Sequence, residues 1–310
     1  MYKVGSLYAG VGGVCLGFIQ AGFKLEWANE FDKYACQTYR ENFKHSLHEE
    51  DIWKLEPKKL PKVDVIVGGF PCQPFSIAGY RKGFEDERGN HFFRIIQYVK
   101  IHKPKVVLLE NVKNLAGHDS GNTFKVIKET LENFNYNVYY KVMNTKDFTE
   151  IPQNRERVII VAIKKTIKKQ FTFPEIKKVK TKFIEVLEKK VVDEKFYYRS
   201  DKLIFNELKK TINKEGVFYQ WRRHYVRENK SGVCPTLTAN MGTGGHNVPL
   251  IYTKEGIRKL TPRECFNIQG FPKKYKLPNI SNSHLYKQSG NSVTVPLIKM
   301  IADRILVCLK

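Results

Sequence analysis

Over its first 165 residues the chain alternates short apolar runs of strand character with amphipathic stretches, and this alternation constrains the fold more than any other feature. The runs are Lys3–Tyr8, Leu25–Asn29, Val63–Val67, Val106–Leu109, Val138–Asn144 and Val158–Ile163. Between them lie helical patterns at Gly13–Ala21, Lys33–Phe43, His91–Ile101 and Thr123–Phe134. Strand–helix–strand repetition predicts an α/β fold, a parallel sheet covered by helices on both faces. In such sheets ligands bind outside the carboxyl ends of the strands, so the turns that follow them are where chemistry is sought.

The pattern weakens near Lys164. Ten lysines and three acids fall between Lys164 and Lys190, and Gly216–Pro249 is rich in Arg, Asn, Gly, Thr and aromatics. Order returns near Leu260, and Thr294–Leu309 reads as a closing helix. The expected organisation is residues 1–174 plus 284–310 as one domain and 175–283 as a smaller, irregular one. The chain has 54 Lys and Arg against 31 Asp and Glu, a net charge of +23. That excess favours a polyanion, because each cation meeting a phosphate releases a condensed counterion; a solvated lysine-rich surface is the competing explanation. Cys15, Cys36, Cys72, Cys234, Cys265 and Cys308 are scattered without zinc spacing, so neither a disulfide framework nor a metal is expected. No apolar stretch approaches 18 residues and no signal peptide is evident. The expectation is a cytoplasmic protein without membrane contact.

Four turns carry candidate chemistry. After the first strand, Tyr8-Ala9-Gly10-Val11-Gly12-Gly13 allows a ligand to approach backbone at a helix start, although a plain tight turn has the same composition. It is not a dinucleotide fingerprint, since Cys15 occupies the third glycine position. About twenty residues on, Glu30 ends the second strand where ribose hydroxyls are accepted. Phe31 is placed to cover an adenine or to pack in the core, and Asp51-Ile52 to meet an adenine edge or to cap a helix. In Gly68-Gly69-Phe70-Pro71-Cys72-Gln73-Pro74-Phe75-Ser76 two prolines constrain a cysteine at the sheet's ligand edge, a place for a reactive thiol. The other cysteines except Cys234 read as small buried hydrophobes. Glu110-Asn111-Val112 ends the fourth long run with a carboxyl that is an acid candidate or a surface cap. In Gln153-Asn154-Arg155-Glu156-Arg157, alternation places both arginines on one strand face, against a carbonyl, phosphate or carboxylate, or on an exposed edge.

Taken in order, these motifs resemble the bacterial cytosine-5 DNA methyltransferase family. Arg258–Pro272 and Gln288-Ser289-Gly290-Asn291-Ser292-Val293 extend the resemblance to nearly the whole chain outside roughly 165–215. It implies a Rossmann-like methyltransferase sheet with a smaller target-recognition domain. It further implies S-adenosylmethionine as cofactor, held by Tyr8, Gly10, Gly12, Gly13, Glu30, Phe31, Asp51, Ile52, Pro71, Asn291, Ser292 and Val293. Cys72 would attack carbon 6 of a flipped-out cytosine, making carbon 5 nucleophilic. Glu110 would hold or protonate ring nitrogen 3, and Arg157, with Arg155 in support, would contact the base carbonyl and the backbone.

The implied partner is double-stranded DNA. Gln73, Ser76, Arg81, Lys82 and Arg88 lie in a glycine-hinged run suited to closing over it. Arg222, Arg223 and Arg227, with the Thr236-Leu237 pair that looks like the family's recognition signature, are the candidates for sequence reading. The resemblance also raises a companion restriction endonuclease and a monomeric state. The same chemistry on RNA is the alternative; the long segment between the Gln-x-Arg-x-Arg motif and Arg258 favours duplex DNA. A catalytically silent DNA-binding scaffold is a second alternative, opposed by intact Cys72, Glu110, Arg155 and Arg157. A nicotinamide dehydrogenase rests on the glycine turn alone.

Overall fold

The computed structural model describes residues 1–71, 91–176, 182–222, 224–229, 232–243 and 247–310. Cys72, Gln73, Ser76, Arg81, Lys82, Arg88 and Arg223 lie outside the described residues.

Seven strands form the main sheet: β1 (Lys3–Leu7), β2 (Lys24–Asn29), β3 (Ser46–His48), β4 (Val65–Gly68), β5 (Val106–Val112), β6 (Tyr136–Asn144) and β8 (Glu156–Lys164), in the order β3-β2-β1-β4-β5-β8-β6. Apolar side chains alternate between its faces. Val65, Val67, Val106, Leu108, Ile159 and Val161 enter one core, and Ile66, Val107, Leu109, Val158, Ile160 and Ala162 the other. Burial on both sides is why these strands read as continuous apolar runs. The first core is closed by α1 (Gly13–Gln20), α2 (Lys33–Asn42) and the last helix, α7 (Val295–Leu309). The second is closed by α3 (His91–His102) and α4 (Asn122–Asn133). A Cβ at Gly17 would come within 2.6 Å of Ile298 Cγ2, so α1 and α7 meet closely, as a closing helix requires.

One expectation needs correction. The sheet is mostly parallel, but β8 runs antiparallel to both β5 and β6. Only residues 145–155 connect β6 to β8, and a parallel crossover needs about a dozen residues or more.

The second region is built on a small sheet in the order β10-β9-β12-β13, from Val226–Glu228, Tyr219–Trp221, Leu250–Thr253 and Gly256–Lys259. Its core and the first core meet at one helix. Phe266 from α5 (Pro262–Ile268), together with Phe271 and Tyr275, packs into the first core, while Cys265 and Ile268 of the same helix join the smaller core. Helical periodicity gives α5 two apolar faces, so one element serves both layers. The helix is fixed by a capping box between Thr261 and Glu264 and by the buried Arg258–Glu264 pair, 2.7 Å apart.

Candidate active site

The turns after β1, β2, β4 and β5 come together at the carboxyl edge of the parallel strands. Tyr8 (φ 55°), Gly10 (φ 55°) and Gly12 (φ 78°) hold left-handed backbone in the first turn. A Cβ on Gly10 would meet nothing within 4 Å, whereas one on Gly12 would strike Phe43 and one on Gly13 would lie 2.6 Å from Ser292 Oγ. Gly12 and Gly13 are therefore packing glycines, and Gly10 faces open space. Glu30 braces the turn: its carboxylate accepts the Gly10 N–H at 2.8 Å and the Phe31 and Asp32 N–H groups at 2.9 Å. Phe31 is 72% exposed, which excludes the core-packing alternative.

The turn after β3 carries Asp51, which is exposed and accepts the Trp53 N–H on Oδ1 at 3.0 Å. This bond closes a turn at residues 51–54; the helix cap considered from the sequence does not form, since no helix starts there. The Ile52 side chain is buried in the second core, so any ligand contact it makes must come through its backbone. The Tyr8 hydroxyl lies 3.0 Å from His91 Nδ1. Burial pushes the Tyr8 phenol up and the His91 imidazole down, the latter partly opposed by the Asp51 carboxylate.

A cradle for an adenosyl cofactor must offer bare backbone, an acid near a ribose and an exposed aromatic face. Gly10, Glu30 and Phe31 supply these, and a buried hydroxyl adds a further polar point. Ser292 Oγ, beside Gly13, is buried without a hydrogen-bond partner among the described residues. An unpaired buried polar atom is costly and marks a place where a ligand is accepted. These residues fit S-adenosylmethionine. Asn291 is exposed at the end of α6 (Asn282–Asn291), and Val293 is buried against α1.

A second cluster lies at the ends of β4 and β5. Arg157 Nε comes within 2.9 Å of Glu110 Oε1, with both side chains largely buried. The N–H is not aimed for a hydrogen bond, so Oε1 is close to a cation yet lacks a donor among the described residues. Glu110 Oε2 stands 3.4 Å from where a Gly69 Cβ would be, three residues before Cys72. Asn111 Nδ2 donates to the Phe70 carbonyl at 2.9 Å and its Oδ1 accepts the Val112 N–H at 2.8 Å, tying β5 to the backbone just before Pro71. Pro71 itself is exposed. Asn111 stands inside the Glu-Asn-Val triplet, but nothing in the sequence gives it this partner.

Residues 2–307 match the family model described as C-5 cytosine-specific DNA methylase. The chain belongs to this family. It is 54% identical over 310 residues to the Type II methyltransferase M.Bsp6I of Bacillus sp. (strain RFL6), with 98% of each chain covered. Identity to the Type II methyltransferase M.SsoII of Shigella sonnei is 41%, over 98% of this chain and 80% of that one. A solved structure of a Spodoptera frugiperda DNMT2 mutant covers 100% of both chains at a TM-score of 0.74 and 22% identity, which speaks to the fold alone.

In this DNA methylase the two arginines of the Gln-x-Arg-x-Arg motif part company, which corrects the expected pairing on one target. Arg157 points to Glu110, while Arg155 is 2% exposed and donates to the Leu237 carbonyl (2.8 Å), the Gly290 carbonyl (3.2 Å) and the Ser292 carbonyl (2.5 Å). The cause is a strand break: Arg155 lies between β7 (Gln153–Asn154) and β8, so strict alternation does not apply across it. Burial, and then the nearby charge of Arg157, pull the Arg155 guanidinium down to about 9. Arg155 thus ties the backbone at Leu237 to that at Gly290 and Ser292.

Leu237 is also corrected. Its side chain is 1% exposed in the smaller core, so it does not face DNA, and its backbone carries the contact to Arg155. The Thr236 hydroxyl donates to the Asn154 carbonyl at 2.6 Å. Arg222 and Arg227 are exposed on the β9–β10 hairpin, with Tyr225 at its tip 59% exposed. Cys15, Cys36, Cys265 and Cys308 are buried, as expected of core thiols, and so is Cys234. No helix of the described residues is long and apolar enough to cross a membrane.

Proposed function

We propose that this methylase transfers a methyl group to carbon 5 of a cytosine everted from duplex DNA, through a covalent bond to Cys72. The observation that carries this is the buried Glu110–Arg157 pair, held at the strand edge beside the backbone that leads into Cys72.

Bound at the Gly10, Glu30 and Phe31 cradle, S-adenosylmethionine would supply an electrophilic methyl group to carbon 5, its sulfonium sulfur–methyl bond breaking to leave S-adenosylhomocysteine. Asp51 and the Ile52 backbone would hold its adenine edge, Phe31 would cover the ring, and Glu30, which orders the turn, would lie by the ribose. The target base leaves the stack at a cost of a few kcal/mol. The Cys72 thiolate adds to carbon 6, and the carbon 5–carbon 6 π electrons become available at carbon 5. Glu110 holds or protonates ring nitrogen 3, and Arg157 supports the base carbonyl, so that charge developing on the ring is met by groups already in place. After methyl transfer, loss of the carbon-5 proton and expulsion of the thiolate restore the aromatic ring and free Cys72. Arg222, Arg223, Arg227 and Thr236 form the recognition side, and Gln73, Ser76, Arg81, Lys82 and Arg88 contact the DNA backbone. Similarity to enzymes named Type II methyltransferases supports a modification role beside a companion endonuclease that cuts the same site. The protein acts on its duplex as a monomer.

The test uses DNA in which 5-fluorocytosine replaces cytosine. Fluorine cannot leave carbon 5 as a cation, so the thiol adduct persists once the methyl group is transferred. Wild-type protein should form a DNA–protein adduct seen by intact mass, and Cys72→Ser should form none while still binding DNA. An adduct in Cys72→Ser would falsify the assignment.

A further inference from the structure

The turn that would carry the adenine contacts is held from beneath by a residue that none of the motifs includes. Arg94, on α3, donates from Nε to the Ile52 carbonyl at 2.9 Å and from Nη2 to the Leu55 carbonyl at 2.8 Å, with the Trp53 carbonyl at 3.4 Å from Nη2. Its Nη1 donates to Gln97 Oε1. The guanidinium carbon also stands 5.5 Å from the centre of the Trp53 ring and 5.4 Å from that of Tyr98. The Tyr98 hydroxyl adds a bond to the Leu55 carbonyl at 2.7 Å.

We propose that Arg94 is the positioning residue of the cofactor's adenine end, acting through the Asp51–Leu55 turn. The turn is short, and its own bonds fix only its opening: the Asp51 carbonyl accepts from Lys54 and Leu55, and Asp51 Oδ1 from Trp53. Carbonyls at 52, 53 and 55 remain, all turned toward α3, where a planar fork of donors meets them together. A lysine has a single ammonium and cannot span that set. Ile52 and Leu55 are anchored in the second core, so a shift of the turn about them would displace the exposed Asp51 carboxylate and the Ile52 amide. Such displacement weakens cofactor binding without touching the reacting groups at Glu110 and Arg157.

The inference rests on the cofactor site proposed above, and the experiment separates the two. Binding of S-adenosylhomocysteine is measured by calorimetry for wild type, Arg94→Met, Arg94→Lys and Asp51→Asn, with thermal melts of each. Arg94→Met keeps the stem against Trp53 and removes the donors; Arg94→Lys keeps one charge and serves if the first variant melts early. Either Arg94 variant should raise the Kd about tenfold, the loss of a charge-assisted contact. The kcat at saturating S-adenosylmethionine and the Kd for DNA should stay within about twofold, a split that general loosening of the fold would not give. Weakening by Asp51→Asn with unchanged Kd in both Arg94 variants overturns the role of Arg94 and leaves the cofactor site standing. Unchanged Kd in all variants overturns the site itself.

Discussion

Arg157 and Glu110 meet diagonally across two antiparallel strands: Arg157 is in register with Val112, and Glu110, two residues earlier on β5, shares its face. Cross-strand diagonal neighbours are within reach of long side chains. The strand register therefore sets the distance between acid and cation, and a slip of one residue would put the two on opposite faces of the sheet.

Glu110→Gln keeps the shape of the pair and removes its charge. Methyl transfer under single-turnover conditions should fall by about two to three orders of magnitude, the usual cost of losing a placed stabilising group. DNA affinity by fluorescence anisotropy should be little changed. Near-wild-type transfer by Glu110→Gln would mean that another group carries the acid role.

Phe31 is 72% exposed, so its truncation removes little packing. Phe31→Ala should shift folding stability by less than about 0.5 kcal/mol. The Kd for S-adenosylhomocysteine should nonetheless rise several-fold through loss of ring stacking. A parallel loss of melting temperature and affinity would return Phe31 to a packing role.

Arg155 satisfies three buried carbonyls from two distant segments. Arg155→Met leaves the Leu237 and Gly290 oxygens without this donor and the Ser292 oxygen with only the Gln269 amide at 3.4 Å, and should cost about 3 kcal/mol, read as a lower urea midpoint. Protease sensitivity should rise around residues 237–242 before it rises elsewhere. An unchanged midpoint would show that water replaces the guanidinium without cost.

Gly290 lies directly under the recognition segment, and an added Cβ would sit 2.2 Å from the Thr238 carbonyl carbon. Backbone cannot give way as a flexible side-chain end can. Gly290→Ala should destabilise by about 1–3 kcal/mol. Hydrogen exchange should show the 237–242 segment lifting from α6.

His45, His91 and His102 are held below the ordinary imidazole value, each chiefly by burial. The unfolded chain takes up these protons near pH 6.5 while the folded chain resists them. Stability is therefore complete above about pH 6.5 and declines as the pH falls through the lower folded values. Melting temperature should fall between about pH 6.5 and 5. His102→Gln, which retains a donor toward the Pro57 carbonyl, should flatten part of that decline. A pH-independent melting temperature over that window would contradict the shifts.

The sheet and its helices were legible because their signals are local. The runs Val106–Leu109 and Val158–Ile163 and the patterns at Lys33–Phe43 and Thr294–Leu309 match observed elements to within a few residues. The glycine turn and Glu30 could be placed at strand ends for the same reason, whereas β5 runs two residues past Glu110. Residue order along the chain fixes which side chains share a face and where a strand must stop. It does not fix what they meet. That β8 runs antiparallel, that Arg155 turns to Leu237 and Ser292 while Arg157 turns to Glu110, that α5 feeds two cores, and that Arg94 grips the Asp51–Leu55 turn are contacts between segments tens to more than a hundred residues apart. Such contacts depend on how sheets twist and layers pack in three dimensions, which no short-range periodicity encodes.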